Sequence, residues 1–86
     1  MFIEIVTPDE KVFEGEVENA TFPGSDGSFQ ILNNHAPMIS TLGYGDMKFT
    51  KIVDKKPKET AMLIEGGVVE VRNNKVTVLA EKIHDE

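Results

Sequence analysis

The sequence predicts an all-β domain, a flattened β-sandwich of roughly eight to ten short antiparallel strands. Apolar and polar residues alternate with a period of two from Lys11 to Val17 and again from Met47 to Val53. This alternation is typical of strands that bury one face. Turn-forming residues recur at short intervals, and no window of helical length carries an apolar stripe at helical spacing.

The length of 86 residues predicts one domain, residues 1–86, with an adequate but not generous core. Hydrophobic residues make up 40% of the chain, as in globular proteins. The absence of cysteine rules out a disulfide framework and thiolate chemistry. The last residues, 82–86, are polar, and we expect them to form a frayed tail.

The net charge of −6 disfavours two kinds of partner. Nucleic acid is disfavoured because its binding requires neutralisation of phosphates by Lys and Arg, and an acidic membrane surface is disfavoured for the same reason. The longest uninterrupted apolar run is Ala61 to Ile64, so we expect no direct membrane insertion. The start of the chain lacks the basic region of a signal peptide. An acidic chain suits a basic protein surface.

The first strands follow from local composition. Phe2 to Thr7 is rich in β-branched and aromatic residues and predicts a strand that ends at the Pro8 turn. The strand Lys11 to Val17 has an acidic face that we expect to lie in water. That face carries Glu14, Glu16 and Glu18. Ala20 then falls on the opposite parity, which indicates a turn or bulge near Asn19.

A turn-rich stretch from Gly24 to Gly45 follows. It contains two apolar strands, Phe29 to Leu32 and Met38 to Leu42, with breaks at Pro23–Gly27, Asn33–Pro37 and Gly43–Gly45. Pro37 forces the residue before it into an extended conformation and donates no hydrogen bond to a sheet. Loops held by a rigid scaffold in this way suit a contact surface.

The remainder predicts four more strands. They are Met47 to Val53, Glu59 to Glu65, Val68 to Arg72 and Lys75 to Glu81. A basic loop at residues 54–58 separates the first two, and Gly66-Gly67 marks a corner where two backbones approach closely or φ turns positive. Asn73-Asn74 is a two-residue hairpin connection that tolerates left-handed φ.

The sequence contains little that would support a catalytic site or a metal site. Only Ser25, Asp26, Ser28 and His35 group together, and no nucleophile elbow or oxyanion loop accompanies them. His84 is far away in the sequence, so we predict no metal site, no cofactor and no catalytic residue.

A carrier module remains an alternative. Asp46-Met47-Lys48 is similar to the modified lysine motif of biotin- and lipoyl-carrying β-sandwiches. In those domains the lysine must project from a hairpin tip, whereas Lys48 falls inside an alternating strand. A free-standing ligand-binding or carrier β-sandwich is therefore the second hypothesis.

Three blocks of residues resemble one family. The first is Gly-Ser-acid-Gly at residues 24–27, followed by Ile31, His35-Ala36-Pro37, Leu42 and Gly45. The second runs through Gly66–Val71 and Asn74–Ala80, and the third is Val6 with Val12–Gly15. In this order and over nearly the whole chain, they resemble the epsilon subunit of the F-type, proton-translocating ATP synthase.

The resemblance implies a role in the central stalk. The sandwich of that family packs against the gamma subunit and rests on the polar loops of the membrane rotor ring. It performs no catalysis, holds no cofactor and couples ring rotation to the stalk for ATP synthesis. Its expected place is the cytoplasmic face of the bacterial inner membrane, as a peripheral part of the complex.

The resemblance implies contact roles for two sets of residues, by their positions in the family pattern. The ring-facing loop would comprise Gly24, Ser25, Asp26, Gly27 and Ser28. The gamma-subunit interface would comprise His35, Ala36, Pro37, Met38, Ile39 and Ser40. The residues alone favour a simpler role for His35, in which its ring bonds the carbonyls of its own loop.

Two departures from the family pattern stand out. Ser28 lies where some members carry a second acid, which lowers the charge of the loop. The chain stops at Glu86, immediately after the last predicted strand. We therefore expect a short form, natural or a fragment, without the C-terminal helical hairpin that inhibits ATP hydrolysis in many members.

Overall fold

The all-β class is confirmed by a computed structural model, which describes residues 1–85, and side chains as far as His84. The strands are β1 (Phe2–Val6), β2 (Lys11–Glu16), β3 (Asn19–Gly24), β4 (Gly27–Leu32), β5 (Met38–Val53), β6 (Lys56–Arg72), β7 (Lys75–Ala80) and β8 (Ile83–Asp85). Along these 85 residues, no helix has the length and apolar character needed to cross a membrane.

The strands β5 and β6 are much longer than predicted, at 16 and 17 residues. Each continues through a glycine corner at which the sequence predicts the end of one strand and the start of another. The parity of buried residues changes across both corners: Leu42 precedes Met47 and Phe49 in β5, and Met62 and Ile64 precede Val69 and Val71 in β6. At each corner, the set of alternate residues that faces the core changes from one parity to the other. Pairing between the strands resumes beyond the corner.

Each long strand therefore belongs to two layers. The first layer has the order β2-β1-β7-β6-β5 and uses residues 67–72 of β6 and 38–42 of β5. The second has the order β8-β6-β5-β3-β4 and uses residues 56–65 of β6 and 44–53 of β5. Strands β1 and β7 pair in parallel, so the prediction of purely antiparallel strands is wrong at this pair. No hairpin joins these strands, so no turn constrains their relative direction.

The two layers pack face to face. Phe13 on β2 stacks on Phe49 of β5 with ring centroids 4.7 Å apart, although the strands are not neighbours in either layer. At the side of the sandwich, the Glu18 N–H donates to the Thr50 carbonyl at 2.8 Å. The acidic residues Glu14, Glu16 and Glu18 are exposed, as predicted.

The predicted frayed tail is wrong for residues 83–85, which form β8. This strand pairs with Met62–Ile64 at the edge of β6. The edge offers unpaired backbone groups to any chain that passes alongside. Ile83 packs against the core, and His84 Nε2 lies 2.6 Å from Glu65 Oε2. Glu86, also assigned to the tail, lies outside the described residues.

Candidate interaction surfaces

The hairpin between β3 and β4 forms an exposed tip, Gly24–Ser28, hereafter the hairpin tip. Gly24 pairs with Gly27, and residues 25–28 are exposed. Gly27 has φ of +123°, and a Cβ on Gly24 would lie 2.6 Å from the Gly27 carbonyl oxygen. Both positions therefore require glycine, one for conformation and one for space.

The hairpin tip is anchored to β5. The Ser25 N–H donates to the Thr41 carbonyl at 3.1 Å, and the Thr41 hydroxyl donates to Ser25 Oγ at 2.9 Å. Next to this pair, a Cβ on Gly45 would lie 2.9 Å from the Pro23 Cβ. Asp26 is thus presented by a braced hairpin.

The loop between β4 and β5, Asn33–Pro37, is held by asparagine side chains. The Asn34 N–H donates to Asn74 Oδ1 at 2.7 Å, and Asn74 Nδ2 donates to Asn33 Oδ1 at 2.9 Å. The Met1 amine also donates to Asn33 Oδ1, at 3.0 Å. The sequence gives no sign that the Asn74 side chain bridges to this loop, because its partners lie about 40 positions away.

Removing the Asn74 side chain should loosen this loop. Asn74→Gly retains a residue that tolerates φ of 60° and deletes two hydrogen bonds, so we expect a loss of about 1–2 kcal/mol in unfolding free energy. Urea unfolding measures this loss. Asn73→Gly is the matched control, since Asn73 has φ of 51° and no side-chain hydrogen bond within the described chain. Equal losses of unfolding free energy for the two substitutions would contradict the role of the Asn74 side chain in holding the loop.

His35 bonds its own loop, as the residues alone favour. Its Nδ1 lies 2.7 Å from the Ala36 carbonyl oxygen, and its backbone N–H donates to the Leu32 carbonyl at 3.2 Å. A carbonyl only accepts, so Nδ1 carries the proton. The ring is exposed, and this bond sets its direction.

The structure does not assemble the Ser-Asp-His grouping. Ser25 lies at the hairpin tip, and His35 follows the other end of β4, about 20 Å away along a six-residue strand. Within the described residues, no three carboxylate or imidazole side chains come together to hold a metal ion. Lys48 lies in the middle of β5, between Thr21 and Ala61, where it lacks the hairpin setting of a carrier lysine.

The outer face of the first layer carries an apolar strip that the sequence analysis missed. The register aligns Val68 of β6, Leu79 of β7 and Val6 of β1 in one row, and Ile39 of β5 lies beside it. Ile39 is 71% exposed and Leu79 is 54% exposed. These four residues form the outer apolar strip. Val68 and Leu79 alternate with the buried residues of β6 and β7, so they face outward. Apolar residues at such outward positions are a sequence signal that could have revealed the strip.

Charged residues border this strip. Glu70 pairs with Ile39 in the register, and Glu4 lies on the same face of β1. Lys11 Nζ lies 3.1 Å from Glu14 and 3.3 Å from Glu4. Hydrogen bonds to the Glu14 and Glu4 carboxylates raise the pKa of Lys11 above its usual value. Arg72 of β6 pairs with Lys75 of β7 on the same face, and Lys75 Nζ lies 3.7 Å from Glu4. The border is therefore mixed in charge.

The whole chain, residues 1–86, matches the family described as the β-sandwich domain of the ATP synthase delta/epsilon chain. The protein belongs to this family. It is 45% identical to the ATP synthase epsilon chain of Maridesulfovibrio salexigens over 94% of its own length and 54% of that protein. It is 41% identical to the ATP synthase epsilon chain of Chlorobium limicola over 94% of its length and 89% of that protein.

Two solved structures of mitochondrial ATP synthases each contain a chain with the same fold. A chain of the Tetrahymena thermophila mitochondrial ATP synthase, from a structure of its central stalk and c-ring, superposes with a TM-score of 0.78 at 21% identity. The match covers 98% of this chain and 65% of that one. A chain of the Euglena gracilis mitochondrial ATP synthase superposes with a TM-score of 0.84 at 19% identity. That match covers 96% of this chain and 51% of that one. The chain thus spans about half to two thirds of these proteins and of several bacterial relatives.

Proposed function

We propose that this protein is a non-catalytic rotor subunit of the central stalk of an F-type ATP synthase. It binds the gamma subunit and the polar loops of the proton-translocating membrane ring, and it transmits rotation between them for ATP synthesis. It works at the cytoplasmic face of the bacterial inner membrane without inserting into the bilayer. The observation that carries this proposal is that one braced sandwich presents two exposed surfaces at opposite ends of β4.

The ring contact is the hairpin tip. Residues 25–28 of the tip are exposed, its only charged side chain is Asp26, and its backbone is bonded to β5 through Ser25. An acidic tip suits basic groups on the polar ring loops, because complementary charges guide the encounter and fix the register. A braced tip also loses little conformational freedom on binding.

The gamma contact is His35–Ser40 together with the outer apolar strip. Ile39 belongs to both, and its exposed side chain is the largest apolar group in the segment. Met38 is half-buried and packs against the core, so it supports the segment from beneath. An exposed apolar row bordered by polar residues is the usual character of a protein–protein contact.

A torque-transmitting part must resist deformation. The buried side chains of both layers form one apolar core without buried polar residues among the described chain. Close-packed interiors have low compressibility and transmit strain. Both proposed contact loops are tied to neighbouring strands by the hydrogen bonds of Ser25 and Asn74. Force applied at one surface can therefore reach the other.

The gamma contact is tested by placing a charge on it. Ile39→Arg should weaken binding to a gamma subunit by about 10-fold or more, because removing a charge from water at an apolar contact costs on the order of 2–5 kcal/mol, and the exposed Glu70 across from it offsets only part of this cost. Ala36→Arg should act in the same direction. The measurement is titration calorimetry, with the thermal midpoint recorded for each variant.

The matched control is Ile52→Arg. Ile52 is also exposed on β5, at 49%, but it lies in the second layer beside the β5–β6 hairpin. We expect it to bind gamma like the wild type. Equal affinities for Ile39→Arg and Ile52→Arg would remove the outer apolar strip from the interface. A wild-type protein that forms no complex with gamma would instead favour the free-standing ligand-binding or carrier module.

A further inference from the structure

Tyr44 is a large exposed side chain for which the proposed contacts give no role. It lies at the corner of β5 between Gly43 and Gly45 and is 70% exposed. At this exposure, most of the surface of the ring is accessible to a partner.

The corner around Tyr44 packs against the hairpin tip. A Cβ on Gly43 would lie 4.0 Å from the Gly24 carbonyl oxygen and from the Ser25 Cα. On the other side, a Cβ on Gly45 would lie 2.9 Å from the Pro23 Cβ. The residues that flank Tyr44 therefore contact the base of the hairpin. Tyr44 thus lies at the end of the sandwich that carries the hairpin tip, on the segment of β5 that contacts the base of the hairpin.

The two charged residues next to Tyr44 on its own face are acids. Glu65 of β6 is its cross-strand partner, and its carboxylate bonds His84 on β8. Asp46 follows two residues along β5 on the same face, and Lys48, two residues further, is the nearest cation along that face. This setting favours a positively charged group over the open ring face.

We propose that Tyr44 extends the ring-facing surface and stacks on an arginine or lysine side chain of the rotor-ring loop that meets the hairpin tip. This inference rests on the proposed function. A cation over the face of an aromatic ring is attracted by its quadrupole, and arginine adopts this position more often than lysine. Asp46 and Glu65 add attraction for the same group, whereas the apolar Ile39 surface serves gamma.

The experiment measures binding of a gamma-containing stalk, assembled with each variant, to rotor rings held in lipid nanodiscs. Tyr44→Phe keeps the ring face and should bind within about twofold of the wild type. Tyr44→Leu and Tyr44→Ala should lose about 3- to 30-fold in affinity, the range that corresponds to a cation–π contact. Gamma affinity and thermal midpoint should be unchanged in all three, which shows that the variants are folded.

A second arm changes the ring. Each arginine or lysine of the polar loop is replaced by glutamine, and Tyr44→Leu is measured again. On the ring that lacks the stacked cation, the substitution at Tyr44 should have no further effect, as expected when two groups interact directly. A full additional loss on every ring variant would overturn the inference.

The outcomes separate the inference from the proposed function. If the wild-type stalk shows no affinity for the ring, the proposed ring contact fails. If Asp26→Asn weakens binding while Tyr44→Leu binds like the wild type, the proposed function stands and the role of Tyr44 is refuted. If Tyr44→Phe loses as much as Tyr44→Leu, the hydroxyl makes the contact, and the stacking of a cation is wrong.

Discussion

Replacing Gly67 with alanine is expected to unfold the domain or leave it barely stable. Gly67 lies at the corner of β6 with φ of +139°, and an added Cβ would lie 2.3 Å from the Leu79 carbonyl oxygen and 2.9 Å from the Ala80 Cα. Both atoms belong to the backbone of β7, which cannot move without breaking its pairing. We expect a loss on the order of 4–5 kcal/mol, the exceptional end of single substitutions.

Gly27→Ala is the matched control for this prediction. Gly27 has a similar φ of +123°, but nothing lies within 4 Å of the position that a Cβ would occupy. It should lose only about 1–2 kcal/mol from backbone strain. Urea unfolding of the two variants separates strain from collision. Similar midpoints for both would show that β7 yields at the corner, contrary to the structure.

Truncating Phe22 should cause the second large loss of stability. Phe22 on β3 is fully buried, and its ring lies 5.7 Å from that of Phe29 on β4. Phe22→Ala should lower the unfolding free energy by about 3–5 kcal/mol, through lost burial and the cavity left behind. A domain of 86 residues has a total of about 4–13 kcal/mol, so this loss is a large fraction.

Tyr44→Ala tests whether this loss depends on burial. It deletes an aromatic ring of similar size from a site that is 70% exposed, and we expect a change below about 0.5 kcal/mol. Thermal and urea unfolding of both variants give the comparison. A loss of several kcal/mol at Tyr44 would mean that the ring supports the corner of β5, and the binding experiments on it would need reinterpretation.

The two contact surfaces differ in how their chemistry arises. The hairpin tip is made by residues adjacent in sequence, so its exposure and its acid were predictable from turn chemistry. The outer apolar strip combines Ile39, Val68, Leu79 and Val6 from four strands. Each of these looks like an ordinary strand residue in the sequence. Only their register on one face makes a row that a partner can cover.

The fold class, the acidic face of β2 and the turns at Gly24–Ser28 and Asn73-Asn74 were determined by the sequence alone. Alternation with a period of two, glycine and asparagine act over a few residues, so their effects can be read locally. The family was also evident, because its motifs are short and occur in order along nearly the whole chain. The roles assigned to Gly24–Ser28 and His35–Ser40 remain predictions.

Tertiary structure decided the rest. The sequence shows the change in which alternate residues are apolar within β5 and β6. One strand that bends at a glycine corner gives the same pattern as two separate strands, so the sequence cannot distinguish them. Pairing of β1 with β7, docking of β8 on β6 and the Asn34–Asn74 bridge join residues far apart in the chain. Such contacts depend on which backbone groups remain unpaired once both layers have formed. That condition belongs to the folded molecule and to no single segment of it.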